Sequence, residues 1–484
     1  MTTTKWKSGV SGDFNTSGNW TAGVPGSGDT ALITAGGTYT VTSSAVNTVA
    51  TLALAKNATL DIAGHHFVIT TGTATGGLAG TIDVTNLTAL VLGTNGDTTT
   101  FTNTGTINLQ SGSGAADNAK LNIAGDVTLT GKGKVDMSGN DAEVIVSEST
   151  AATLNNDSTI AGDGVVGDLS DALLTFNNGK KGVLDGNTPG GLLVATDGTS
   201  VTNSGLMEAT TASGSLILTG DITQNGNGTI KSATAGATVT LESADITGGK
   251  VSTVKNAFLN GTGATGMTTI DAAATIANAG TIECDTGDFL IENAVSNSGT
   301  LLAGSITTTD FGLIEVDGKV TGGRAELDGG VVVFDQAATA AVTFDAAGGN
   351  LDLFDATKFT GKVSGMAGNP DATIDLENIT FTDGVHITQP GSNGILTVTD
   401  LKTGATDKIK IVGGGTFSAS GAFDGSTLIS DPPASPTSVP NIGTQLLAQS
   451  MASFGASGGI AAPGADRVAG QHLSSDFLAS PQHG

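Results

Sequence analysis

Cysteine, rigid aromatics and positive charge are all scarce in this chain of 484 residues. It has two tryptophans, one tyrosine and one cysteine, and charged residues make up 13% of it. That is about half the charged share of an ordinary globular domain. With Cys284 as the lone cysteine, no internal disulfide can form. Lys and Arg number 19 against 45 Asp and Glu, for a net charge of −26, and only Arg324 and Arg467 are arginines. Gripping a phosphate backbone takes clustered Lys and Arg, so nucleic acid is excluded as a partner. The same sign of charge argues against anionic membranes. No run of 18 apolar residues occurs, so no transmembrane segment is expected. Met1 to Gly9 shows neither the apolar core nor the cleavage site of a secretory leader. A long β protein without disulfides suits bacterial export, here expected through an uncleaved signal.

Glycine, by contrast, is abundant at 73 residues, and 38% of the chain is hydrophobic. The glycines follow no Gly-X-Y period, which excludes collagen. The apolar content is too high for a disordered polyelectrolyte. What remains is a turn-rich β protein with a thin core of small residues.

Internal repeats organise it. Asn-x-Gly followed by a β-branched run occurs as Phe101–Ile107 (FTNTGTI), Val201–Met207 (VTNSGLM), Ile276–Ile282 (IANAGTI) and Val295–Leu301 (VSNSGTL). Degenerate copies lie at Leu154–Ile160 and Ile222–Ile230. A second unit, Leu-x-apolar-x-Gly-Asp-apolar-Thr, occurs at Leu121–Thr128 and Leu216–Thr223, with a partial copy at Leu241–Thr247. Asn and Gly tolerate positive φ and form turns, and the runs between them alternate as strands do. A unit of about 20 residues with strands this short cannot bury its own apolar face; stacked coils can. The fold expected is all-β, a parallel β-helix or β-solenoid. About 15 coils over residues 46–357 would make a rod roughly 70 Å long. Asn103, Asn203, Asn278 and Asn297 are then expected in turn ladders.

Residues 1–45 are expected to form an N-terminal cap, because Trp6, Phe14, Trp20, Pro25 and Tyr39 crowd together where a first coil has no neighbour. Residues 358–433 read as a C-terminal β module of six or seven strands, with a hairpin turn at Gly391–Gly394. Residues 434–484 read as a Pro-rich linker and a flexible tail, with helical spacing at Ile442, Leu446, Leu447 and Met451 and a candidate secretion signal at Ser474–Ser480.

The opening pattern GVSGDFNTSGNWTAGVPGSGDTALI and the closing IDL…ITFT…GILTVTD…KIKIVGG…DGSTLISDPP resemble large bacterial secreted and surface β-strand-repeat proteins. These are similar to autotransporter passengers and filamentous-haemagglutinin-type adhesins, and the closing module is similar to that of alphaproteobacterial, rhizobial-like members. The resemblance implies a right-handed parallel β-helix that is extracellular or at the cell surface, and carries over no catalytic residue. An autotransporter would end in a membrane barrel. The polar ending here points instead to type I-like secretion.

Candidate chemistry is sparse. Calcium needs six to eight oxygens, and Gly26–Thr34 and Gly139–Ser147 are single echoes of a calcium-binding nonapeptide, so weak calcium association with the acidic surface is the expectation and no cofactor is expected. A glycosidase needs paired carboxylates; Glu283, Asp285 and Asp288 are one candidate set, and Asp163, Asp168 and Asp171 another. Sugar platforms are missing near them, and loop carboxylates are the simpler reading. His65 and His66 are adjacent and point to opposite faces of a strand; His386, His472 and His483 are scattered. Cys284 reads as a small core residue, and Gly261–Gly266 lacks the lysine of a phosphate loop. No catalytic, cofactor or metal residue is therefore assigned. The expected function is a structural or adhesive extracellular solenoid. Its expected partners are extracellular polysaccharide, surface components or copies of itself. The alternative is a polysaccharide-active enzyme or carbohydrate-binding protein on the same scaffold.

Overall fold

Alternation is the rule that builds this molecule. In Tyr39–Ser43, Ala58–Ile62, Thr229–Ser232 and Gly287–Ile291, every second side chain is buried and those between are part-exposed. The computed structural model describes residues 1–85, 87–112, 118–139, 143–148, 150–167, 173–195, 201–263, 266–304 and 311–431. Among these there is no α-helix, only three single 3₁₀ turns at Ser17–Asn19, Ala356–Lys358 and Phe381–Asp383. The strands stack in parallel as a β-solenoid of about 15 turns.

One inward column shows the stacking. It climbs through Val41, Leu60, Ile82 and Ile107, later through Ile276, Val295 and Val320, and ends at Ala338 and Phe359. Every one of these residues is buried. Successive members lie from 18 residues apart (Val320 to Ala338) to 28 apart (Ile107 to Val135). At about 4.8 Å per step the stack is roughly 70 Å tall. A bore this narrow admits one layer of aliphatic side chains from each wall, which accounts for the Ala, Val, Ile and Leu bias.

Parallel pairing starts at Thr3–Lys5 against Thr30–Ile33, inside the segment expected to cap the rod. At the other end Lys362–Ser364 pairs in parallel with Thr406–Ile411. There the order changes. Val385–Thr388, Ile395–Asp400 and Thr406–Ile411 form an antiparallel meander. Thr427–Asp431 runs antiparallel both to Ser418–Gly421 and to Asn369–Leu376 in the last coil. The turn between the first two meander strands closes with Gly394 N–H on the Gly391 carbonyl, with Gly394 at φ +67°. The linker and tail expected beyond residue 433, with their helical spacing, lie outside the described residues.

One expectation about the repeat needs correction, and another gains detail. Gly105, Gly205, Gly280 and Gly299 do not have positive φ. They are glycine because the neighbouring coil leaves no room. A Cβ on Gly205 would lie 2.3 Å from the carbonyl oxygens of Gly179 and Gly182, and one on Gly299 would lie 2.0 Å from that of Gly280. The repeat asparagines, moreover, do not decorate the surface. Asn203 is fully buried, and Asn278 and Asn297 are nearly so. Each Asn Oδ1 accepts the backbone N–H two residues on, at 3.0–3.1 Å. Their Nδ2 groups then link coils along the axis. Asn156 donates to Asn178, Asn178 to Asn203 and Asn203 to Gln224, and separately Asn278 donates to Asn297. Asn103 stands apart, donating to the Lys134 carbonyl. The ladders are internal because the turn N–H groups they satisfy are internal, and a buried donor left bare is costly.

Candidate functional site

The aromatics near the N-terminus are packing, not a binding surface. Trp6 and Trp20 meet edge to face with centroids 5.1 Å apart, and Phe14 meets Trp20 at 5.0 Å and Phe67 at 5.3 Å. Trp20 Nε1 donates to the Phe14 carbonyl at 2.7 Å. Tyr39 and Pro25 are buried too.

Of the sequence candidates, Asp29 in the first calcium echo is committed to backbone. Its two oxygens accept the N–H groups of Thr2 and Gly26, and these bonds, Gly26 first, hold its carboxyl below the usual range. The second echo is only partly described, since residues 140–142 lie outside the described residues. So do Asp168, Asp171, His472 and His483, and two residues of Gly261–Gly266. Asp163 is buried. His65, His66 and His386 are exposed. Cys284 points into the core, fully buried, with its thiol pushed up to about 12 by desolvation.

Glu283 faces outward from Thr281–Cys284, half-buried. Burial first, and Asp285 second, raise its carboxyl to about 7. Asp285 is raised by burial and by Asp328. Asp288 stands on the next strand and acts on Glu315 instead. Neither of the two main surface depressions touches this set. One of about 370 Å³ is lined by Phe344, Asp345, Asn369 and Asp371 among others, its two carboxylates exposed and its one ring buried. The other, about 200 Å³, lies by His66, Leu87 and Lys120.

A protonated, half-buried Glu283 has a consequence for stability. Unfolded, it ionises near its ordinary 4.5, whereas in the rod it keeps its proton to about 7. Folding therefore takes up a proton between those values. Stability falls as pH rises through that window and levels off above it. Screening at a part-exposed site reduces the full shift to about 1–2 kcal/mol. Urea unfolding with chelator at pH 5.0 and 7.5 should show the loss, and Glu283→Gln should shrink it. An unchanged pH slope in that variant would count against the assignment.

The densest chemistry was not singled out by the sequence. In the last coils, Gly312–Val316, Val331–Phe334, Gly349–Leu353 and Asn369–Leu376 stack in register. Val316, Phe334, Leu353 and Leu376 point inward and are buried. The flanking outward positions carry acids: Glu315, Asp352 and Asp375 on one side, Asp317, Asp335 and Glu377 on the other. From the turn before Thr427–Asp431, Asp424 joins them. Two groups have carboxylate oxygens within 4.8 Å of one another: Glu315, Asp317 and Asp335, and Asp375, Glu377 and Asp424. Burial is the first cause of every shift here. It raises Glu315 to about 7, with Asp335 and Asp317 next, and Glu377 to about 8, with Asp375 and Asp424 next. Asp375 rises to about 6 against the lowering bond from Ser426. Asp352 is raised well above the carboxylate range by burial, then by Glu377 and Asp375. None of the four ion pairs among the described residues involves these side chains. An all-oxygen donor set suits a hard cation such as calcium or magnesium, not zinc or copper.

No protein-family model, curated protein or solved structure matches this chain. No helix among the described residues is long and apolar enough to cross a membrane.

Proposed function

We propose that this protein is a secreted or cell-surface solenoid with a structural and adhesive role, holding extracellular polysaccharide, surface components or further copies of itself. The observation that carries the reading is the unbroken apolar column from Val41 to Phe359, a stiff axis whose flanks offer repeated polar positions. One outward column runs Asp61, Asp83, Asn108 and Asp136 on consecutive coils, with Asn108 Nδ2 bonded to Asp83 at 2.7 Å. Such periodicity suits multivalent, individually weak contacts. The acidic balance suits a protein kept apart from its neighbours by charge until a partner bridges them. The resemblance of the opening and closing patterns to bacterial surface β-repeat proteins supports an extracellular or cell-surface location, and Ser474–Ser480 is the candidate export signal.

The test is fractionation of a bacterial culture expressing the full chain and a form lacking Asn441–Gly484. Full-length protein should be found in the medium or on the cell surface and should pull down extracellular polysaccharide or cells. The truncated form should stay inside. Retention of the full chain in the cytoplasm would overturn the location. Equal export of both forms would overturn the signal. Export without any retention by cells, polysaccharide or itself would overturn adhesion.

A further inference from the structure

We propose that Asp375, Glu377 and Asp424, backed by Asp352, form a calcium site that fastens the C-terminal β module to the last coil of the solenoid. Three observations carry it. First, the oxygens of Asp375, Glu377 and Asp424 lie within 4.8 Å of one another. An ion bound at about 2.4 Å can touch oxygens no farther apart than about twice that distance, so the spacing meets the limit that a shared calcium sets. Second, Asp352 lies beneath them, in register with Asp375. Its Oδ1 is sealed from solvent and has no hydrogen-bond partner. An enclosed carboxyl oxygen without a donor is relieved either by keeping its proton or by a nearby cation, and the neighbouring carboxylates give a cation further oxygens to share. Third, one hydroxyl serves two acids. Ser426 Oγ lies 2.6 Å from Asp375 Oδ1 and 2.7 Å from Asp424 Oδ1. A hydroxyl has a single proton to give, so one of those approaches leaves two oxygens facing each other. A bound cation turns that contact into shared coordination.

The residues come from three places in the chain. Asp352 lies on Gly349–Leu353 and Asp375 on Asn369–Leu376, Glu377 follows directly, and Asp424 sits in the turn entering Thr427–Asp431. An ion among them joins the final two coils to the antiparallel closing strands. The Glu315, Asp317 and Asp335 group lies on the earlier coils, away from the closing strands, and the proposal does not extend there.

Calorimetric titration of the full chain with calcium should show one saturable site, with a dissociation constant of about 10⁻⁴ to 10⁻³ M, as in extracellular modules. Magnesium should bind at least about tenfold more weakly, because it resists losing water and demands a tight octahedron. Hydrogen exchange should show calcium protecting residues 422–431. Asp352→Asn and Asp424→Asn should each weaken binding about tenfold or more and abolish that protection. Asp424 is exposed on a turn, so its variant keeps the test valid if Asp352→Asn fails to fold. Asp83→Asn, on a distant coil, should change neither. No saturable binding by about 10 mM calcium, equal affinity for magnesium, or equal weakening by Asp83→Asn and Asp424→Asn would overturn the proposal. The last result would mean diffuse counter-ions on an acidic surface.

Discussion

Replacing Trp20 with alanine is expected to cost roughly 3–5 kcal/mol at the N-terminal end of the rod. Trp20 is 1% exposed, packs edge to face on both Trp6 and Phe14, and ties its indole N–H to the Phe14 carbonyl. Alanine leaves a cavity among Trp6, Phe14 and Phe67 at the first described coil. In a stack of nearest-neighbour units the loss stays local. Limited proteolysis should therefore cut first within the opening 45 residues, and aggregation should rise as the strand edge at Thr3–Lys5 comes free. Phe14→Leu, a smaller loss at the same layer, should lie between the two. A soluble Trp20→Ala rod of unchanged stability that has lost only ligand binding would place a binding site there instead.

Asn203→Ala is the second substitution with a large expected effect, again about 3–5 kcal/mol. Asn203 Oδ1 accepts from Gly205 N–H and Asn178 Nδ2; its own Nδ2 donates to Gln224 Oε1 and the Thr229 carbonyl. All of this is enclosed. Alanine takes a partner from four groups at once, of which Asn178 Nδ2 keeps the Gly182 and Leu206 carbonyls, at about 1–3 kcal/mol for each that stays unsatisfied. Asn203→Asp tests the same position differently. It keeps the shape and the accepting Oδ1, but it replaces the NH2 donors with a second acceptor and buries a charge, so it should be at least as damaging. Chemical unfolding of both variants against wild type decides the matter. If Asn203→Ala unfolds within about 0.5 kcal/mol of wild type, the ladder does not support the coils.

The sequence showed the strand period and the stacking of short coils, because both are local patterns of apolar and turn residues. It misled on the repeat glycine, since a turn glycine kept for positive φ and one kept for a neighbouring carbonyl look alike in one dimension. Asn178 escaped notice because a loop intrudes: Asn178-Gly-Lys-Lys-Gly182 breaks the Asn-x-Gly spacing, while stacking restores the asparagine to its place between Asn156 and Asn203. The acidic group was harder still. Asp352, Asp375 and Asp424 are scattered over 72 residues, and each is an unremarkable outward position. A signal did exist. Leu351-Asp-Leu353 and Ile374-Asp-Leu376 repeat an acid between two core residues at an interval of 23, close to one coil. Reading such intervals as vertical neighbours would have found the pair, though not Asp424, which arrives by an antiparallel return.

The coils touch only their neighbours, and the bonds between them run along the rod axis. Tension applied through the two ends therefore loads those contacts one after another, and the rod pays out chain in coil-sized steps. A coil of 18 to 28 residues gives up about 5 Å of height and releases roughly 60–100 Å of extended chain. Under such a load the extension of the rod is counted in turns. The buried amides of Asn156, Asn178, Asn203 and Gln224 add side-chain bonds between successive coils along that axis.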